Sequence, residues 1–165
     1  MSVDSSWIQI GTRGNSTYYY DGRTDYWTSH QNRAERYGGY LVSLNDIGEF
    51  NYVTGKLRSR GVSEYWIGLT DDPGQVPTAR EGSWNSGAGK AGWRWMDGSP
   101  VTYDRWNSRE PNNSGHEDIA HITGYYRWND HRWHHRLRAV IEIAGDGPEK
   151  KSLSKMIKTN SLEDR

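Results

Sequence analysis

The sequence predicts a single α+β domain, on three observations: two segments have the apolar spacing of amphipathic helices, several short segments read as strands, and a long stretch between them does neither. The first helix rests on Trp27, His30, Ala34 and Tyr37, spaced 3, 4 and 3 residues apart and stopped by Gly38-Gly39. Strands are expected on either side of it, from Tyr18 onward and over residues 40–44. A second helix begins at Asp46, which with Glu49 three residues on forms a capping-box pattern, and Ile47, Phe50, Val53 and Leu57 supply its apolar stripe up to Gly61. Residues 65–69, YWIGL, read as a short buried strand, and residues 119–123, 125–130 and 139–143 as further strands, the last an alternating AVIEI. Between Thr70 and Gly124 periodicity fails and Gly, Pro, Asn, Ser and Asp dominate, interrupted by aromatic islands at 93–95 and 103–106. A loop stretch of that length in a small domain is usually functional or disordered.

Composition narrows the function. The chain has 165 residues, 21 basic and 21 acidic side chains and no cysteine, so one domain of zero net charge is expected. Zero net charge argues against a general binder of nucleic acid or anionic membrane, which needs a basic face. No apolar run approaches the ~18 residues that would cross a bilayer. Apolar residues are only 33% and mean hydropathy is −1.03, yet nine Trp and eleven Tyr provide large buriable surfaces, which predicts an aromatic core. Lack of cysteine removes disulfides, CxxC zinc sites and a thiol nucleophile together. The start, MSVDSSWIQI, has no basic n-region or apolar h-region and reads as no secretory signal. The expected division is an N-terminal strand or extension over 1–17, the folded domain over 18–144 and a flexible tail over 145–165.

Two clusters of oxygen-bearing side chains stand out: Glu110-Pro111-Asn112-Asn113 followed by Glu117-Asp118, and then Trp128-Asn129-Asp130. Calcium takes six to eight oxygens from carboxylates, amides and carbonyls, and Glu110, Asn112, Glu117, Asn129 and Asp130 offer that mixture. A cis Glu110-Pro111 bond would turn both flanking side chains toward one point. Taken alone, Asn and Asp in loops also serve simply as turn formers.

The order EPN, ED, WND, preceded by WIGL and WRWMDG, resembles the C-type lectin domain over roughly residues 18–143. The resemblance implies a fold of two helices, two small antiparallel sheets and a long loop region, and non-catalytic binding of glycans. It implies Glu110, Asn112, Glu117, Asn129 and Asp130 as ligands of the principal calcium, the first four also hydrogen-bonding the sugar. EPN, as opposed to QPD, is the family's mark of mannose, glucose, fucose or N-acetylglucosamine type sugars over galactose. An auxiliary calcium would lie near Asp71, Asn113, Glu117 and Asp118, but Gln75 stands where a carboxylate is expected. The loop from Asp72 to Gly92 is longer than the family norm, through the insertion VPTAREGSWNSGAGKAG, and forms either an extra wall of the binding surface or a mobile loop. Its GAGKA lacks the remaining glycine and hydroxyl of a phosphate loop.

The family's two disulfides would fall at Ala34 with Ile141 and at Ile119 with Trp133, all apolar here, so packing must replace them, with Trp133 expected against Ile119. A cysteine-free version suggests a bacterial or phage source, and the resemblance implies a secreted or cell-surface setting. Three other readings remain at this stage. Glu110 and Glu117 could form the acid and base of a glycosidase, or His131, His134 and His135 a zinc site. The Tyr, Arg, Trp and His of residues 125–138 could make a display surface for a protein partner. Trp66, Trp93, Trp95 and Trp106 are expected in the core.

Overall fold

The computed structural model describes residues 2–145; the expected tail from residue 146 on lies outside the described residues. In chain order the elements are β1 (Trp7–Arg13), β2 (Ser16–Asp25), α1 (Trp27–Arg36), β3 (Tyr40–Leu41), α2 (Ile47–Ser59), β4 (Tyr65–Thr70), β5 (Gly82–Ser83), β6 (Ser86–Gly87), a 3-10 turn (Gly89–Gly92), β7 (Arg94–Trp95), β8 (Ile119–Ile122), β9 (Trp128–His131) and β10 (Leu137–Ala144). Both helices form where the apolar spacing put them. Asp46 caps α2 by accepting from the Glu49 N–H at 2.8 Å. Phe50, Val53 and Leu57 are buried, but Ile47, in the first turn, is 56% exposed, so the buried stripe starts at Phe50.

The sheet differs in one respect from the expectation of two small antiparallel sheets. A parallel bridge between Ala139 and Trp66 joins them into one eight-stranded sheet in the order β1-β2-β10-β4-β8-β9, with β3 on β10 and β7 on β4, beside a separate β5-β6 hairpin. β1 belongs to this sheet through its hairpin with β2, so the expected boundary at residue 17/18 falls inside β2. The strand expected over 40–44 is regular only at Tyr40–Leu41, although Val42 still donates to the Val140 carbonyl at 2.9 Å. The strand expected from Tyr125 begins instead at Trp128, because Tyr126 adopts φ 58° in the β8-β9 turn.

β4 sits at the centre, and all six of its residues are buried. Its alternation serves two cores: Tyr65, Ile67 and Leu69 face one with Phe50, Trp93, Trp95, Trp106 and Trp128, while Trp66 faces another with Trp27, Ala34, Ile119 and Ile141. The four expected core tryptophans are therefore inside. In the second core Trp133 packs with the cluster containing Ile119, its ring edge-on to Trp27 at 5.7 Å. Ala34 and Ile141 share that cluster, so apolar contact occupies the positions where the resemblance implies cross-links. Among the described residues no helix is long and apolar enough to cross a membrane.

Gly68 marks the tightest approach in β4: it donates to the Val42 carbonyl at 2.9 Å, and a Cβ there would stand 2.2 Å from the Leu41 carbonyl oxygen. Gly68→Ala is expected to cost about 1 to 3 kcal/mol by overpacking, read as a lower urea midpoint at unchanged slope. An unchanged midpoint would contradict this packing.

Candidate functional site

The loop that carries Glu110 to Asp118 is positioned by aromatic packing. Trp106 lies beside Trp128 through a parallel bridge, with backbone bonds from Asn107 N–H to the Trp128 carbonyl (2.9 Å) and from Trp128 N–H to the Arg105 carbonyl (2.8 Å). Both rings pack in the first core, 5.8 Å apart. The chain thus runs along the start of β9 and delivers residues 110–113 to Asp130, two positions further on.

Asp130 is fully buried. Its Oδ1 accepts from the Asn112 N–H at 3.1 Å and its Oδ2 from the Asn113 N–H at 2.7 Å. Glu110 accepts from the same Asn112 N–H at 3.1 Å through Oε2, and from Asn112 Nδ2 at 2.9 Å through Oε1. The Glu110-Pro111 peptide bond is cis. Asn112 Oδ1 and Glu117 Oε1 each accept from the Ser114 N–H at 3.0 Å, which brings Glu117 into the same network. Asn129 adjoins Asp130 on β9, and its Nδ2 donates to His121 Nε2 at 3.1 Å. That bond occupies one N–H and leaves the other, and Oδ1, for a ligand.

Negative charge is crowded here. Burial, then the hydrogen-bonded Asp130 carboxylate beside it, pushes the Glu110 carboxyl up to about 8. Burial and the charge of Asp130 push Glu117 up to about 7. A hard cation would relieve this repulsion, and a mixture of carboxylate and amide oxygens suits calcium.

A second group lies one residue further along. Donor oxygens of Asp71, Glu81 and Asp118 all fall within 4.8 Å of one another, and among the described residues this is the one such group of three His, Cys, Asp or Glu side chains. Asp71, fully buried at the end of β4, accepts from the Gly82 N–H at 3.0 Å through Oδ2. Its Oδ1, and Asp118 Oδ1, are buried with no hydrogen-bond partner. Two buried carboxylate oxygens without a partner, in a group of three carboxylates, fit a cation-binding role. Burial first, then the neighbouring carboxylates, raises Asp71 to about 8 and Glu81 to about 7.

Glu81 does not follow from the motif spacing, which points to Gln75, four residues after Asp71, whereas the inserted loop returns a carboxylate ten residues after it. The available signal was the acidic residue just before Gly82-Ser83, where the loop turns back. Asn113, the other expected member, uses its Oδ1 to accept from the Glu117 N–H at 2.9 Å and so closes the loop between the two groups. The histidines do not converge on a metal position. The His131 and His135 rings lie tilted to each other with centroids 3.8 Å apart, His134 and His135 stack at 4.9 Å, and His131 Nδ1 accepts from the Arg132 N–H.

The family profile described as "Lectin C-type domain" matches residues 23–140. The chain belongs to the C-type lectin domain family. This lectin domain is 35% identical over 113 residues to human "C-type lectin domain family 17, member A", covering 68% of the chain and 25% of that protein. It is 31% identical over 122 residues to human "C-type mannose receptor 2", covering 72% of the chain and 7% of that protein. The chain therefore spans a quarter or less of these relatives. Among solved structures, the mouse scavenger receptor C-type lectin carbohydrate-recognition domain aligns with a TM-score of 0.65 at 24% identity, over 87% of this chain and 97% of that one. Family membership supports carbohydrate binding in general.

The raised carboxylates make a pH prediction for the lectin domain in chelator. Glu110, Glu117, Asp71 and Glu81 hold protons more tightly folded than unfolded, so their stabilising effect is present at low pH and lost as pH rises through about 7 to 8. His121 and His131, pushed down by burial from 6.5 to about 3 and about 4, act in the opposite sense but only below 6.5. Melting temperature in chelator should therefore fall between pH 6.5 and 8.5, and Asp71→Asn should flatten that fall. A rise over the window would contradict the assignment.

Proposed function

We propose that this domain binds glycans of the mannose, glucose or fucose type through a calcium ion held by Glu110, Asn112, Glu117, Asn129 and Asp130, and performs no chemistry on them. The observation that carries this reading is the convergence of Glu110 and Asn112, an acceptor and a donor side by side and bonded to each other at 2.9 Å. Two vicinal hydroxyls would replace water on the cation. Each would donate to Glu110 or Glu117 and accept from the amide of Asn112 or Asn129, so a hydroxyl pair is recognised by its geometry and its two-way hydrogen bonding. The EPN order favours equatorial-type mannose chemistry over galactose, in keeping with the similarity to human C-type mannose receptor 2. A second calcium at Asp71, Glu81 and Asp118 would hold the inserted loop against the site.

A shallow, wet site gives weak affinity for one sugar, so useful retention depends on several copies or on dense glycans. We place such a domain outside the cell, in adhesion or recognition. A cysteine-free core suits a bacterial or phage origin, where oxidative folding cannot be assumed.

Passing the protein over immobilised mannose in calcium tests this directly: retention with release by chelator, and flow-through on galactose, is the expected result. Asn112→Ala, which keeps the backbone bond to Asp130, should lose retention while the melting temperature in chelator stays within about 2 °C, on the order of the ±0.5 kcal/mol expected of an exposed side chain. Glu110→Gln with Asn112→Asp should shift preference toward galactose. Flow-through of the wild-type protein, with calcium still raising the melting temperature, would overturn the glycan reading. It would favour a protein partner at the β8-β9 turn, where Tyr125 is 86% exposed.

A further inference from the structure

Trp84 stands apart from the other tryptophans. Trp7, Trp27, Trp66, Trp93, Trp95, Trp106 and Trp128 are buried, and Trp133 is packed against the second core, whereas Trp84 is 46% exposed. A large apolar ring left in water on a polar loop is a common mark of a contact surface. Its location gives it a specific partner. The Trp84 N–H donates at 2.7 Å to the carbonyl of Pro111, the residue between Glu110 and Asn112. Hydrogen-bonded backbones of this kind lie about 5 Å apart, so the ring is rooted beside the two side chains proposed to grip the sugar.

The loop that carries it is braced. Trp84 lies in the tight turn between β5 and β6, where Gly82 pairs with Gly87 and Ser83 with Ser86. Ser83 Oγ meets Ser86 Oγ at 2.6 Å and Asn85 Oδ1 at 3.1 Å. Below the turn, Gly82 donates to Asp71 at 3.0 Å and its carbonyl accepts from the core indole of Trp93 at 3.1 Å. Gly82 also has no room for a side chain, since a Cβ would meet the Gly89 carbonyl oxygen at 2.1 Å. An insertion that merely lengthened a mobile loop would need none of these ties. A ring carried on a backbone already fixed by these bonds costs less entropy to use than one on a mobile loop.

We propose that the inserted hairpin forms a second sugar subsite, in which the Trp84 ring stacks on the C–H face of the pyranose next to the one bound at Glu110 and Asn112. A pyranose offers hydroxyls around its rim and an apolar C–H face, so a cation with flanking amides reads the first and an aromatic ring the second. The ligand class is then an oligosaccharide of two or more linked hexoses. This subsite rests on the glycan reading above, so the test separates the two.

Titration calorimetry with the full chain in saturating calcium compares methyl α-mannoside with an α-linked mannotriose. Wild type should bind the trisaccharide more tightly. Trp84→Ala should weaken the trisaccharide about tenfold, leave the monosaccharide within about twofold and leave the calcium-dependent rise in melting temperature unchanged; Trp84→Phe should restore most of the difference. Unchanged trisaccharide affinity in Trp84→Ala, or an equal loss for both sugars, would overturn the subsite while leaving the primary site standing. Absence of binding of either sugar by wild type would overturn the glycan reading and the subsite together.

Discussion

The buried carboxylate of Asp130 is the fixed point of the site. It accepts the backbone N–H groups of Asn112 and Asn113, 18 and 17 residues earlier in the chain, from a position held in the β8-β9 ladder opposite Ala120. The loop it clamps contains Arg109, Asn113, Gly115 and His116 at positive φ. Three of these carry side chains, for which such backbone is unfavourable, so the conformation persists only where surrounding bonds over-determine it. Asp130 supplies two of those bonds, and Asn113, itself at positive φ, supplies another by accepting from the Glu117 N–H. One carboxylate thus sets the spacing between Glu110, Asn112 and Glu117. The same clamp concentrates negative charge, which is why Glu110 and Glu117 hold protons well above the usual carboxylate range.

Aromatic packing carries that fixed point to the rest of the molecule. Trp128 lies two residues before Asp130 on the same strand, and its ring contacts Trp95 at 5.3 Å and Trp106 at 5.8 Å, while Trp106 meets Trp93 at 4.8 Å. Trp93 in turn donates to the Gly82 carbonyl beneath the inserted hairpin. These edge-on contacts link β9, the segment entering the site loop and the insertion without any covalent cross-link. On the opposite face Trp27, Trp66 and Trp133 do the same for the helix α1 and the end of β9, and the Trp133 indole donates to Asp118 at 3.1 Å. The residues that stabilise the fold are largely those that orient the two carboxylate groups.

Much of this was legible in the sequence, for physical reasons that differ by element. Both helices announced themselves because α1 and α2 bury one face each, and β4 because burial on both faces leaves an unbroken apolar run. The joining of the sheet was not legible, since it rests on one parallel bridge between residues 66 and 139, and long-range pairing has no local signature. The start of β9 was not legible, because Tyr125 and Tyr126 have strand composition, yet the turn places Tyr126 in the left-handed region. In the site, motif order brought out Glu110, Asn112, Glu117 and Asp130, which the structure joins in one network. Glu81 escaped because an insertion preserves spatial position while destroying spacing, and Trp84 escaped because exposure of a ring is a tertiary property.

Calcium-dependent binding as proposed requires the two carboxylate groups to act as cation sites. Calorimetric titration of calcium into metal-stripped protein at pH 7, in two buffers of different ionisation enthalpy, addresses that most directly. The prediction is two equivalents of calcium per chain with net proton release, because carboxyls that sit at about 7 to 8 in the free protein must ionise to bind the metal. Saturation without proton release, or absence of any calcium heat, would contradict it.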